Sequence, residues 1–318
     1  MSPMQTDAAA ATERPAALAA IGSTPIVRLT RLAGPDTAEV WVKLEAANPT
    51  GSYKDRMALA MIEAAERDGR LRPGQTVVEY TGGSTGSSLA FVCALKGYPL
   101  RIVSSDAFAA EKLRTMRAFG AQVELIPSPG GITPDLVPAM VRRAGEIAAE
   151  TGGFWTDQFN NTDMVDGYRR LGEELLAQVP SVDAFCSYVG TAGCFLGVTR
   201  ALREKQQAVH RVAVEPAESA VLSGRPAGVH HIEGGGIGHR PPQLRPEDVD
   251  EVVAVPEAEA FARARTAARA DGVFSGPSTG ANLVAAERVA ARLGPGHRVV
   301  TVQVDSGLKY LNGSLYEG

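Results

Sequence analysis

Cysteine, histidine and excess positive charge are all scarce in this chain of 318 residues. Its three cysteines, Cys93, Cys186 and Cys194, are widely spaced or lie in apolar runs, which indicates a reducing compartment and no zinc-like pair. The five histidines are scattered as well, so we predict no metal site. The chain has 32 basic and 36 acidic residues, which gives a net charge of −4. This charge gives no indication of a nucleic-acid partner.

Long apolar runs are absent too. No stretch approaches the roughly 18 residues that a membrane span requires, so we expect no membrane partner. The opening MSPMQTDAAAAT has neither the basic start nor the apolar core of a signal peptide. We therefore predict a cytoplasmic protein whose residues 1–13 form a disordered tail.

Short β-branched runs alternate with amphipathic segments along the chain. The predicted strands are 76–80, 100–104, 122–126, 183–188, 212–215 and 298–304. The predicted helices are 85–96, 110–119, 137–150, 193–206, 257–270 and 279–293. This alternation predicts an α/β fold with parallel sheets covered on both faces. A boundary between two lobes is predicted near residue 155, with a ligand in the cleft between them.

Three glycine-rich turns each follow an apolar run and lead into a predicted helix. They are TGGSTG at 81–86, GTAGC at 190–194 and GPSTG at 276–280. Such turns direct backbone N–H groups at an anion. Neither the Walker nor the dinucleotide fingerprint is complete. From the residues alone, the anion could be a nucleotide phosphate, a cofactor phosphate or a substrate carboxylate.

Lys54 precedes a predicted helix that Asp55 opens. The positive end of a helix disfavours an ammonium and helps to lower the pKa of a lysine there. A neutral lysine amine is what Schiff-base chemistry requires. Taken alone, Lys54 is better explained as an ordinary surface lysine beside Asp55 and Arg56.

Eight motifs in a fixed order give the chain a family resemblance. They are IGSTPIVRL, KLEAANPTGSYKDR, TGGSTG, DQFNN, GTAGC, VEPAESAVLSG, GPSTGAN and DSGLKYL, between residues 21 and 312. In this order the sequence resembles fold-type II pyridoxal-phosphate enzymes, in the branch of cysteine synthase and cystathionine β-synthase.

The resemblance implies a two-lobed fold like that of the tryptophan synthase β chain, with the active site in the cleft between parallel-sheet lobes. A smaller, mobile N-terminal lobe would cover 47–157, and a larger lobe of 14–46 plus 158–318 would bind the phosphate of pyridoxal 5'-phosphate. A homodimer is also implied.

The family's functional residues carry over motif by motif. Lys54 would form the Schiff base with the cofactor and shuttle the substrate's α proton. The implied cofactor-binding residues are Lys54, Ser84, Gly190, Thr191, Ala192, Gly193, Cys194 and Ser278, the last facing the pyridine nitrogen. The residues implied to bind the carboxylate of an amino-acid substrate are Thr81, Gly82, Gly83, Ser84, Thr85 and Gln158.

The implied reaction is β-replacement on O-acetylserine or O-phosphoserine through an aminoacrylate. Sulfide or another nucleophile would then give cysteine or an analogue. A β-eliminating lyase that releases pyruvate and ammonia from cysteine or serine is the second hypothesis. A non-catalytic paralogue is the third, and a nucleotide-binding protein is the least supported because no such phosphate motif is complete.

The chain departs from the family at several positions. Gly82 and Ser84 replace the Ser and Asn of the usual T-S-G-N-T-G. Tyr53 replaces a smaller residue, and the segment 230–244 is rewritten. The run Tyr168–Arg170 stands where cysteine synthases carry two threonines. We expect these changes to face the substrate and to alter the donor or the nucleophile.

Overall fold

The computed structural model describes residues 15–32, 34–129, 135–205 and 208–317. The predicted tail at 1–13 lies outside them. The strands are β1 Ile26–Arg28, β2 Glu39–Leu44, β3 Val77–Tyr80, β4 Leu100–Ser105, β5 Gln122–Ile126, β6 Phe154–Trp155, β7 Ala184–Tyr188, β8 His210–Pro216, β9 Glu251–Val255 and β10 Arg298–Gln303. The α-helices are α1 Lys54–Asp68, α2 Ser84–Lys96, α3 Ala110–Ala118, α4 Leu136–Thr151, α5 Asp163–Gln178, α6 Gly193–Lys205, α7 Glu257–Ala270 and α8 Pro277–Leu293.

The strands form two sheets. The larger has the order β1-β2-β10-β7-β8-β9, and all its pairs are parallel except β1 with β2. The smaller has the order β5-β4-β3-β6 and is parallel throughout. Every residue of β3 and of β7 is buried, as expected for central parallel strands with helices on both faces. The smaller sheet falls within the predicted N-terminal lobe, whose bounds and mobility stay predictions.

Helices α1, α5 and α6 pack in contact, and two glycines make this possible. A Cβ on Gly167 of α5 would lie 2.5 Å from the carbonyl oxygen of Arg56 in α1. A Cβ on Gly197 of α6 would lie 2.5 Å from the carbonyl oxygen of Val165 in α5. Neither helix pair could approach so closely with a larger residue there. This stack fixes the starts of α1 and α6 relative to each other.

A buried ion-pair network anchors the first turn of α1. The Arg56 guanidinium donates to Glu45 at 2.7 and 2.8 Å and to Glu174 at 2.8 Å. Lys43, fully buried in β2, lies 2.6 Å from Glu174. Burial alone would raise the pKa of Glu174, but the hydrogen bonds from Arg56 and Lys43 lower it to about 2. The network ties α1 to the larger sheet and to α5.

Among the described residues, no helix is both long and apolar enough to cross a membrane. The same part of the chain has no group of three or more His, Cys, Asp or Glu side chains that could hold a metal ion. The cytoplasmic location and the homodimer stay predictions.

Candidate active site

Lys54 is the first residue of α1 and is buried. Gly51, with a φ of 71°, makes the preceding turn, and the Lys54 N–H donates to Ser52 Oγ at 3.2 Å. The Lys54 Nζ lies 5.0 Å from the centre of the Tyr53 ring. Burial lowers the pKa of Lys54 to about 8, against opposing effects of Cys194 and Asp305. A neutral amine is therefore accessible near neutral pH, as Schiff-base chemistry requires.

The turn between β7 and α6 is the second part of the site. Ala192 adopts the left-handed region with φ 69°, and the Gly193 N–H donates to Thr191 Oγ1 at 3.4 Å. A Cβ on Gly190 would lie 2.6 Å from the carbonyl oxygen of Gly234, so this turn packs on the rewritten segment 230–244. Burial raises the pKa of the Cys194 thiol to about 12, so the side chain is neutral at physiological pH. The backbone N–H groups at the start of α6 fit a phosphate.

Ser278 lies in the first turn of α8 and is fully buried. Its Oγ has no hydrogen-bond partner within the described residues. Leaving a buried hydroxyl unpaired costs about 1–3 kcal/mol, so an orphan of this kind calls for a ligand atom. A Cβ placed on Gly234 would lie 3.4 Å from Ser278 Oγ, which puts the hydroxyl beside the 190–194 turn. The phosphate cradle and the orphaned hydroxyl fit the two ends of the cofactor that the motifs imply.

Asn282, on the next turn of α8, holds this arrangement together. It accepts a hydrogen bond from the Tyr188 N–H at 2.6 Å and donates to the Val302 carbonyl at 3.0 Å. It thereby ties α8 to β7 and β10. The residue belongs to the GPSTGAN motif, but its positioning role becomes visible only when the strands are placed.

The 81–86 turn, with Gln158 behind it, forms the third part. Thr85 Oγ1 donates to Gln158 Oε1 at 2.8 Å, and the Gly83 N–H donates to Thr81 Oγ1 at 3.1 Å. Gln158 Nε2 in turn donates to the Tyr80 carbonyl at 3.3 Å. Four of the residues predicted to bind a substrate carboxylate thus lie together, namely Thr81, Gly83, Thr85 and Gln158.

Glu79 positions this group and was missed at the sequence level. It is fully buried and accepts hydrogen bonds from Tyr80 N–H at 2.8 Å, Thr156 Oγ1 at 2.7 Å and Gln158 N–H at 3.0 Å. Burial raises its pKa to about 7 in spite of these donors. The sequence signal that could have found Glu79 is a charged residue inside an apolar run, two positions before the TGGSTG motif.

Phe108 explains why position 82 is glycine. A Cβ on Gly82 would lie 2.3 Å from the Phe108 ring. The serine that usually stands here in the family does not fit beside this ring. Gly82 therefore offers the turn only its backbone.

Ser84 is the first residue of α2 and connects the turn to the larger lobe. Its Oγ accepts a hydrogen bond from Lys309 Nζ at 3.1 Å and lies 3.4 Å from Asp305 Oδ2. The departure from the family's asparagine therefore coincides with a contact to the segment after β10.

The expectation that the Tyr168–Arg170 run faces substrate is wrong for its two arginines. Arg169 pairs with Glu204 on the outside of α6, and Arg170 is exposed. Tyr168 is fully buried, with its ring centre 5.3 Å from that of Tyr53 and its hydroxyl unpaired among the described residues. The difference arises because α5 turns Tyr168 inward and the next two side chains outward.

Comparisons with known proteins identify the family of the chain. The family described as "Pyridoxal-phosphate dependent enzyme" matches residues 17–305. The chain is 40% identical to a cysteine synthase of Staphylococcus aureus over 299 residues, 93% of this chain and 95% of the relative.

Two solved structures are similar as well. The O-ureido-L-serine synthase has a TM-score of 0.88 and 35% identity, over 95% of each chain. A hydrogen sulfide-producing enzyme from Fusobacterium nucleatum has a TM-score of 0.87 and 34% identity, over 93% of this chain and 97% of that one. The fold class and the cofactor expected from the motifs are confirmed, and the chain belongs to the family of pyridoxal-phosphate dependent enzymes.

Proposed function

We propose that this enzyme catalyses β-replacement on an O-activated serine, either O-acetylserine or O-phosphoserine, with sulfide or another nucleophile. The product would be cysteine or a β-substituted analogue. The observation that carries the proposal is the buried Lys54 amine, which lies within electrostatic reach of Cys194 in the phosphate cradle and of Glu79, the residue that holds Gln158. The cysteine synthase and O-ureido-L-serine synthase similarities support a serine-derived donor.

The cofactor would be held by Lys54, by the backbone of Gly190–Cys194 and by the Ser278 hydroxyl. When bound, pyridoxal phosphate withdraws electrons from the substrate's α-carbon. Ser278 is uncharged and does not hold a ring nitrogen protonated as a carboxylate would. A serine at this position therefore favours α,β-elimination over chemistry that needs a deeper electron sink.

Lys54 would take the α proton of the substrate, because its lowered pKa makes the neutral amine available. The 81–85 backbone and the Thr81 and Thr85 hydroxyls would hold the substrate carboxylate. Gln158 would orient Thr85, and Glu79 would orient Gln158.

The test is cysteine formation from O-acetylserine and sulfide, followed in purified enzyme together with its visible absorption. Lys54→Ala is expected to abolish the absorption band of the bound cofactor and turnover together, since it removes the only covalent link that we assign. Lys96→Ala, whose lysine pairs with Glu66 outside the site, serves as the control and keeps both. A protein that retains its band and turnover after Lys54→Ala contradicts the proposal.

A lyase that releases pyruvate is the second candidate. The similarity to the hydrogen sulfide-producing enzyme favours it. Pyruvate measured with and without added nucleophile separates the two. A β-replacing enzyme suppresses pyruvate when the nucleophile is present, whereas a lyase releases it at the same rate.

A further inference from the structure

Asp305 follows β10 and is fixed to the turn that carries Lys54. The Tyr53 N–H donates to the Val304 carbonyl at 3.0 Å, and the Ser306 N–H donates to the Gly51 carbonyl at 2.9 Å. These two bonds make an isolated antiparallel bridge between Ser52 and Asp305. The carboxyl group therefore keeps its position relative to the base of Lys54.

The Asp305 side chain is 3% exposed and only half satisfied. Its Oδ2 accepts a hydrogen bond from the Tyr310 hydroxyl at 2.8 Å and lies 3.4 Å from Ser84 Oγ. Its Oδ1 has no hydrogen-bond partner in the described part of the chain. An unpaired buried carboxylate oxygen is destabilising, so a carboxyl kept here calls for a proton or a ligand.

Charged groups from several elements face this carboxyl. Lys309 and Lys112 favour its charged form, Glu233 opposes it, and Lys54 and Tyr53 lie within electrostatic reach. Burial is the largest influence, raising the pKa of Asp305 and lowering the pKa of Lys309. Because Lys309 Nζ donates to Ser84 Oγ, the hydroxyl hydrogen of Ser84 is free to point at Asp305.

We propose that Asp305 is a further catalytic residue, which gives a proton to the group leaving the substrate's β-carbon and takes one from the incoming nucleophile, with the Ser84 hydroxyl as relay. The inference rests on the proposed function, because the β-carbon is one bond from the α-carbon that Lys54 must reach. It assigns a role to Ser84, at the start of α2, and to Asp305, after β10, which lie in contact with each other.

Protons balance over the two halves of the reaction, because Asp305 gives one proton and later regains one. The bond from the β-carbon to the leaving atom breaks, and its electron pair leaves with that atom. The Asp305 proton goes to the same atom and gives a neutral product. When the nucleophile's sulfur then bonds to the β-carbon, its proton returns to the Asp305 carboxylate. No oxidant or reductant is needed.

The proposal predicts that the effect of Asp305 depends on the leaving group. Chloride and acetate depart without a proton at neutral pH, whereas hydroxide and thiolate are poor leaving groups that need one. The test follows the release half-reaction in cofactor-loaded enzyme with β-chloroalanine, O-acetylserine, cysteine and serine. Asp305→Asn should slow release from cysteine and serine by about 100-fold or more, and release from the other two by less than about tenfold.

Two further variants separate chemistry from structure. Asp305→Glu retains a carboxyl and should partly restore release from cysteine and serine. Glu287→Gln is the matched control, since Glu287 is another carboxyl, between α7 and α8, whose pKa burial raises to about 7. It should leave the donor profile unchanged.

A readout independent of turnover is the infrared carbonyl band of a protonated carboxylic acid, recorded across pH. A component of this band should disappear in Asp305→Asn and remain in Glu287→Gln. If Asp305→Asn does not fold, Tyr310→Phe replaces it. Because the Tyr310 hydroxyl favours the charged form of Asp305, its loss should raise the pKa of Asp305. The carboxyl band should then persist to higher pH. The pH profile for serine should shift in the same direction, and that for O-acetylserine should not.

Three results would each overturn the inference. They are equal slowing of all four donors in Asp305→Asn, an infrared band that loses no component in this variant, and no release from cysteine and serine by the unaltered enzyme. Failure of the unaltered enzyme with β-chloroalanine, O-acetylserine and O-phosphoserine as well would overturn the proposed function itself, which keeps the two failures distinct.

Discussion

The turns at 81–86 and 190–194 share one design but differ in what surrounds them. Each joins a fully buried strand to the first turn of a helix through glycines. The 190–194 turn packs on backbone at its start, where Gly190 lies against Gly234. The 81–86 turn is surrounded by side chains, with Thr85 on Gln158 and Ser84 between Lys309 and Asp305. A backbone cradle suits a phosphate that stays bound, whereas adjustable side chains suit a substrate that must enter and leave.

The prediction with the largest expected effect tests this contrast by adding one methyl group to each turn. Gly190→Ala should weaken cofactor affinity by about 100-fold, because its Cβ would lie 2.6 Å from the Gly234 carbonyl oxygen. Gly83→Ala is the matched change, since a Cβ there meets nothing within 4 Å. It should retain the cofactor. Titration of both apoenzymes with pyridoxal phosphate, followed by absorbance, measures the difference. Equal affinities would remove the distinction between the two turns.

The second prediction concerns Glu79, which supports the 81–86 turn through Gln158. Its folded-state pKa of about 7 exceeds the ordinary 4.5, so the folded protein binds more protons than the unfolded chain between these values. Stability should therefore fall as pH rises through this window, by up to about 3 kcal/mol, and Glu79→Gln should remove that part of the decline.

Thermal unfolding of both proteins from pH 5 to 8 checks it. Glu287→Gln controls for the other buried carboxyl with a pKa raised to about 7. Parallel curves for the unaltered protein and Glu79→Gln would be the contrary result.

The smallest effect tests the packing of the 81–86 turn. Gly82→Ser should destabilise the fold by about 1 kcal/mol, because the Phe108 ring occupies the space for its side chain. Combining it with Phe108→Ala should cost less than the sum of the two single changes, as a double-mutant cycle of urea unfolding will measure. Strict additivity would mean that Phe108 is not what excludes the serine.

The repeating core of the fold could be predicted because burial leaves a pattern in the sequence. The helix 257–270 matches α7, and the strand 122–126 matches β5. The strand predicted at 212–215 proves longer, His210–Pro216, because His210 and Arg211 pair with Glu251 and Asp250 across the sheet. Such cross-strand partners are invisible to local patterning.

Helix α5 and the strands β1, β2, β6 and β9 were not predicted. For α5 a signal existed, since its buried Met164, Tyr168, Leu171 and Leu175 recur at helical spacing. Strands β1 and β2 lack such a signal, because β1 has only three residues and β2 is interrupted by charged residues. In the site, the motifs predicted which residues matter. Only the fold could show that Glu79 orients Gln158 and that Asp305 meets Ser84, because those contacts join distant segments.

The pairing of Ser52 with the end of β10 also bears on how the protein is made. Ser52 Oγ donates to the Val304 carbonyl across 252 residues of sequence at 3.3 Å. Lys54 emerges from the ribosome well before β10, the strand whose end fixes its turn. The smaller sheet can form first, yet capture of pyridoxal phosphate must wait until β10 has been synthesised. A nascent chain stalled before residue 298 would consequently be folded in part and unable to retain the cofactor.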